Sequence, residues 1–413
     1  MHGRCIYDKI GIMRKHGTIN ARTVEAMEKA RADMSAFESS YIETLRAGER
    51  EARLPGLHVR LAASFGFCDG VRRAIEIAFA ASHAFAGRRI SLIGDIVHSP
   101  IVNQRLAEKG IEHLPWSIDG SGLGHLTPED VVIVPAFGIS TELRQRLEER
   151  GVLLVDSTCG NVVKVWQRVG AYAAAGITTI IHGKVRHEEC MATASHARGA
   201  DGAGHFLVLG SEAEAAYVAE YIARGGERAA FLQRMGGGCS PGFDPDIHLA
   251  DIGMANQTTM LRDESLRIQH LLREAVVARD GTDTRFHAFN TICSATHERQ
   301  QGLLALLDMP EIETVFIVGG YNSSNTTHLA QLAAARKPTF FIRDAACLRS
   351  LDQVCAYCPR LQTELSVPLP PEASSPSGLW HVGITAGASC PAGVIECVIH
   401  RLAELRKKVL KNP

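Results

Sequence analysis

Three cysteines, Cys68, Cys159 and Cys293, stand where an apolar run gives way to a helical pattern. Val152-Leu-Leu-Val155 leads through Asp156-Ser-Thr158 to Cys159, and Val162 to Trp166 opens a helix. Val59 to Phe67 leads to Cys68, with a helical pattern over 71–81. Phe286 to Ile292 leads to Cys293, with one over 296–307. Such strand ends are where an open α/β sheet binds ligands. One buried thiol is most often a small core residue. Three in one repeated context, 91 and 134 residues apart, point to shared chemistry. Brought to one point, they would hold three irons of a four-iron, four-sulfur cluster. Electron-transfer clusters normally use four cysteines, so a fourth iron would stay open to substrate.

A second set of polar residues falls at predicted strand ends. It comprises His98, His187, Glu189, Thr258, Thr259, Asn322, Ser323, Ser324, Asn325 and Ser389. Short hydroxyl and amide side chains beside glycine at a helix start suit an anion such as phosphate. The histidines add donors near neutral pH, and Glu189 can hand on protons. Helix capping explains Ser323 or Ser389 taken singly. Four polar residues in a row, Asn322-Ser-Ser-Asn325, exceed the needs of one cap.

These residues need a scaffold, and the pattern supplies one. Apolar runs at 90–93, 130–135, 178–183, 206–209, 314–319 and 339–342 alternate with helical segments, the signature of parallel α/β units. The expected division is a polar helical extension over 1–56, then α/β domains over 57–158, 159–285 and 286–413. Residues 366–378 read as a loop rich in proline and serine. With 413 residues, 46% apolar and 22% charged, the chain reads as globular. Its net charge of −1 gives no basic field for nucleic acid. No apolar run is long enough to cross a membrane, and no secretory leader is apparent. Eleven cysteines without compact spacing suggest a reducing compartment and metal or redox use, not a disulfide framework; the expected location is the cytoplasm of a bacterium. There is no G-x-G-x-x-G fingerprint for a nicotinamide.

The ordered motifs resemble the 4-hydroxy-3-methylbut-2-enyl diphosphate reductase family, in its plant and cyanobacterial branch. They are Phe65-Gly-Phe-Cys68, Ile96-Val-His98, Pro135-Ala-Phe-Gly138, Asp156-Ser-Thr-Cys159 and His182-Gly183. His187-Glu-Glu189, Ala192-Thr-Ala-Ser195, Gly242-Phe-Asp-Pro-Asp246 and Ala255-Asn-Gln-Thr-Thr-Met260 follow. Phe289-Asn-Thr-Ile-Cys293, Asn322-Ser-Ser-Asn325 and Thr385-Ala-Gly-Ala-Ser389 complete the set. The resemblance implies three similar α/β domains with mostly parallel sheets around a central [4Fe-4S] cluster. It makes Cys68, Cys159 and Cys293 the ligands. His98, His187, Asn322, Ser323, Ser324, Asn325 and Ser389 would form the diphosphate pocket, Glu189 the proton donor, and Thr258 the partner of the substrate hydroxyl. The implied reaction is reductive removal of the allylic hydroxyl, yielding isopentenyl and dimethylallyl diphosphate, with ferredoxin or flavodoxin as electron donor.

Asp69, Gly160 and Ser294 follow the three cysteines where the family usually carries other residues. They motivate an alternative, a cluster-bearing redox sensor or a reductase of another allylic diphosphate. A zinc-binding role for Cys355-Ala-Tyr-Cys358 with Cys347 is a weaker reading, since no second pair stands at zinc-finger spacing.

Overall fold

The computed structural model describes residues 21–116, 121–289, 291–375 and 378–411. In chain order the strands are β1 (Glu51–Leu54), β2 (Leu57–Leu61), β3 (Ile90–Ile93), β4 (Ile111–Leu114) and β5 (Val131–Val134). Then come β6 (Leu153–Asp156), β7 (Thr178–His182), β8 (Phe206–Leu209), β9 (Ile252–Asn256) and β10 (Phe286–Ala288). Last are β11 (Thr314–Val318), β12 (Thr339–Ile342), β13 (Val354–Cys358), β14 (Thr363–Val367) and β15 (Trp380–Ala386). Five helices bear on the site: α1 (Asp69–Ala84), α2 (Gly160–Ala174), α3 (Glu188–His196), α4 (Ser294–Leu307) and α5 (Ser324–Ala334).

The chain forms two compact units. One contains Ala84–Ile96 and Lys109–Cys293; the other contains Ala21–His83, Val97–Glu108 and the described residues from Ser294 onward. The first unit carries two four-stranded sheets, ordered β4-β3-β5-β6 and β8-β7-β9-β10. Both are parallel throughout. The second unit carries a five-stranded sheet, β12-β11-β15-β2-β1, parallel except for the β1–β2 hairpin. A separate antiparallel pair, β13–β14, lies in the same unit. The expected α/β class with mostly parallel sheets is therefore what the chain adopts.

The two wholly parallel sheets share one order: the second strand in the chain lies outside the first, the chain then crosses to the first strand's other side, and a fourth strand closes the row. In the mixed sheet β11, β12 and β15 repeat this order, and β2, from earlier in the chain, takes the place beside β15. A cysteine follows each of β6, β10 and β2: Cys159, Cys293 and Cys68. Two strands at expected domain starts thus pair elsewhere. β2 joins β15 of the C-terminal sheet, and β10 joins β9. Local sequence gives a strand's existence but not its partner, so a closing strand reads as an opening one.

The strands form because they are apolar and β-branched runs buried on both faces. Val131, Val132, Ile133 and Val134 are fully buried, as are Val315, Phe316, Ile317 and Val318. Each such side chain contributes roughly 1.5–3 kcal/mol of transfer free energy. Trp380, also buried, donates its indole N–H to Thr314 Oγ1 at 3.3 Å, which satisfies the one polar group it takes inside.

Within the expected extension, helices Ala21–Met34 and Ser40–Ala47 are present, and residues 1–20 lie outside the described set. The extension also contains the strand β1 over 51–54, which the tight connection at Pro55-Gly56 folds back on β2. Of the proline-rich span, β14 ends inside it and a short helix forms over Pro371–Ser374. Cys355 and Cys358 lie on β13. Three residues apart on a strand, their side chains leave opposite faces, so that geometry does not let them share a zinc ion.

Candidate functional site

Parallel sheets expose ligand sites where the strand order reverses. In the sheet β8-β7-β9-β10 that point lies between β7 and β9, and the loops leaving those two strands carry the chemistry. The β7 loop ends at His187, the N-cap of α3. Its Nδ1 accepts the Glu189 backbone N–H at 3.2 Å, so a neutral ring carries its proton on Nε2. Glu189 is only 2% exposed, and its Oε1 accepts the backbone N–H of Thr258 at 2.6 Å. Thr258, on the β9 loop, accepts the Cys293 N–H through its own carbonyl at 3.2 Å. An unbroken chain of contacts thus runs from a buried carboxylate through Thr258 to the backbone of a cysteine.

That cysteine loop is fixed from β9 as well. The Thr291 hydroxyl accepts the backbone N–H of Asn256 at 2.6 Å and its side-chain amide at 2.8 Å. Thr291 was in no predicted site. Its signal was its position two residues before Cys293, within the motif whose Asn290 lies outside the described residues.

Cys159 is the N-cap of α2. Its N–H donates to the Ala136 carbonyl at 2.9 Å, joining it to the loop after β5. Asp156 shapes the approach, accepting the Thr158 N–H at 2.9 Å and its hydroxyl at 2.5 Å, and pairing with Arg144. The β5 loop lies flat on α2. A Cβ added at Gly138, whose φ is +75°, would meet the Trp166 ring 2.1 Å away, so only glycine fits. The preceding Phe137 packs edge-on against the His187 ring, centroids 5.7 Å apart.

In the second unit the order reverses between β11 and β15. The loop after β11 enters α5, whose N-cap is Ser323. Ser323 Oγ accepts the Thr326 N–H at 3.4 Å, so capping is its observed task. Ser324 and Asn325 are nearly inaccessible, at 2% and 3%. Asn325 Oδ1 accepts the Ala388 N–H at 3.0 Å, which holds the loop after β15 against the helix start. Ser389, next along, donates its hydroxyl to the His98 carbonyl at 3.1 Å. The amide of exposed Asn322 lies 3.3 Å from His98 Nδ1; since an amide nitrogen can only donate, His98 too keeps its neutral-ring proton on Nε2. His98, Asn322, Ser323, Ser324, Asn325 and Ser389 therefore gather at one helix N-terminus, where unpaired N–H groups and the helix dipole favour an anion.

Cys68 lies in this unit, immediately before α1. Its N–H donates to Ala388 O at 3.2 Å, and its Sγ accepts the Val71 N–H at 3.4 Å. The three cysteines fit the ligation of an iron–sulfur group. Each is half-buried, and each directly precedes a helix whose N–H end favours an anionic ligand set. Other cysteines have a different character. Burial pushes the thiols of the core residues Cys190 and Cys390 far up and that of the partly buried Cys239 to about 11, which favours the protonated thiol in all three.

A family model described as LytB protein matches residues 59–403. The chain belongs to the LytB protein family. Curated relatives named 4-hydroxy-3-methylbut-2-enyl diphosphate reductase include one from a Synechococcus strain, 40% identical over 376 residues, which are 90% of this chain and 92% of the relative. Another, from Gloeobacter violaceus, is 41% identical over 378 residues, 90% and 88% of the two chains. Two solved structures share the fold of this LytB chain. One is the (E)-4-hydroxy-3-methyl-but-2-enyl diphosphate reductase described as the terminal enzyme of the non-mevalonate pathway. It has a TM-score of 0.51 and 24% identity, covering 84% of this chain and 99% of that one. The other is the reductase from Plasmodium falciparum, with a TM-score of 0.58 and 20% identity over 83% and 86%. No helix among the described residues of this LytB protein is long and apolar enough to cross a membrane.

Proposed function

We infer that this LytB chain is an iron–sulfur enzyme, a 4-hydroxy-3-methylbut-2-enyl diphosphate reductase acting at the end of the non-mevalonate route to isoprenoids. The observation that carries the mechanism is the buried Glu189 carboxylate bonded through Thr258 to the loop of Cys293. In the reaction an allylic C–OH bond is broken and a C–H bond formed. The substrate takes up two electrons and two protons, and the hydroxyl leaves as water, giving isopentenyl or dimethylallyl diphosphate.

Cys68, Cys159 and Cys293 would hold a [4Fe-4S] group, which when bound supplies Lewis-acid and one-electron chemistry at its iron without a cysteine. The rest is done by the chain's own residues. The α5 N-terminus with Ser323, Ser324 and Asn325, joined by Asn322 and Ser389, holds the diphosphate. His98 and His187 add Nε2–H donors. Thr258 orients the allylic hydroxyl, and Glu189 delivers the proton that lets it leave as water. Electrons come from ferredoxin or flavodoxin; the absence of a nicotinamide fingerprint in the sequence supports a protein donor. The ten cysteines among the described residues are all free, which accords with a cytoplasmic setting.

The substrate assignment is tested on its anion. Ser324→Ala and Asn325→Ala should each weaken binding of the diphosphate substrate by about 1–3 kcal/mol, the usual cost of unpairing a charged acceptor. Iron content should be unchanged. Calorimetric titration under anaerobic conditions measures the loss, and parental affinity in both variants would leave this helix start with a capping role only.

A further inference from the structure

Arg299 lies on α4 and is 4% exposed. Its Nη1 donates to the Ala295 carbonyl one turn back at 2.8 Å, and its Nη2 donates to the Gly66 carbonyl at 2.5 Å. Gly66 stands two residues before Cys68. The same helix meets the same segment again at Gly302, where an added Cβ would lie 3.0 Å from the Ser64 nitrogen and 3.2 Å from that of Ala63. The opposite side of the segment is held by the continuation of β15. Gly66 N–H reaches Ala386 O at 3.4 Å, and Cys68 N–H reaches Ala388 O at 3.2 Å. The N–H groups of this stretch are thus tied to one strand, and its Gly66 carbonyl to one buried guanidinium.

We propose that Arg299 is a positioning residue for Cys68, and that its buried charge sets the reduction potential of the group Cys68 ligates. This rests on the cluster reading above. The planar fork reaches two carbonyls at once, one on its own helix and one on the cysteine loop, which a single ammonium cannot reproduce. A cation beside the ligand loop stabilises the more negative, reduced state, and charge near a cluster is one of the factors that tune its potential. The two effects separate by substitution. Lysine restores the charge but not the fork; methionine restores neither.

The test uses the full chain, purified anaerobically with its cluster. Arg299→Met should lose iron to a chelator about tenfold faster than the parent, in line with the strength of hydrogen bonds to charged groups. Its midpoint potential should move to a more negative value. Arg299→Lys should keep the parental potential and share the faster iron loss. The comparison variant is Arg406→Lys. Arg406 is also buried and holds the carbonyls of Gly56 and Ala373 at 2.8 and 2.7 Å, and that of Gly378 as well, but none in the cysteine loop. It should lower thermal stability without moving the potential or the rate of iron loss. If Arg299→Met does not fold, Arg299→Lys decides, and a parental rate of iron loss in that variant overturns the proposal. A folded Arg299→Met with parental potential and parental iron retention overturns it too, while leaving the cluster reading intact. A parent chain that binds no iron overturns both.

Discussion

Replacing Cys159 by serine should abolish the iron–sulfur chromophore of anaerobically prepared protein, and Cys68→Ser or Cys293→Ser should do the same. A hydroxyl is a harder, far less acidic donor than a thiol and does not substitute for thiolate on iron. Three protein sulfurs leave no surplus, so losing one removes a third of the attachment. Cys239→Ser and Cys355→Ser are the controls and should keep full iron and sulfide. The thiol of Cys239 is pushed up to about 11 by burial, and Cys355 sits on the β13–β14 hairpin. The measurement is iron and acid-labile sulfide per chain together with the visible spectrum. A complete cluster in Cys159→Ser would remove that residue from the ligand set.

The cysteines were legible because each needs a local signal only: an apolar run, a short loop, a helical pattern. The structure puts all three directly ahead of a helix, and Cys159 at its N-cap. What local signals could not give was which strand closes which sheet. β2 finds β15 more than three hundred residues later, and nothing in Leu57–Leu61 encodes that partner. The same limit hid Arg299, whose meaning lies in a carbonyl 233 residues away. Its cue was a cation on the buried face of a helix. Residue type alone makes the polar run at 322–325 one anion site, yet its members divide their tasks. Ser323 caps, Asn325 holds the neighbouring loop, and Asn322 fixes the His98 tautomer. Their shared location was legible from residue type; the division of labour depended on the fold.

Glu189→Gln should leave substrate binding nearly intact and slow the chemical step by roughly 10²–10⁴-fold, the range for general acid–base catalysis. The amide keeps the shape of the carboxyl group. Its oxygen can still accept the Thr258 N–H that Glu189 Oε1 accepts at 2.6 Å. What it cannot do is release a proton and regain it. Glu188 is the internal control: adjacent in sequence, half-buried, and set beside His187 Nδ1 at 3.9 Å rather than on Thr258. Glu188→Gln should turn over at close to the parental rate. Single-turnover kinetics under argon, with binding followed separately, distinguish a lost proton from a lost grip. A fast Glu189→Gln, or a crippled Glu188→Gln, would move the proton route elsewhere.

The most direct measurement is of products. Anaerobic protein carrying its iron is mixed with 4-hydroxy-3-methylbut-2-enyl diphosphate and a chemical reductant, and the five-carbon diphosphates formed are quantified. The account predicts isopentenyl and dimethylallyl diphosphate, one molecule of either for every two electrons consumed, and none without reductant. Iron-replete protein that binds the diphosphate but leaves its hydroxyl in place would contradict it.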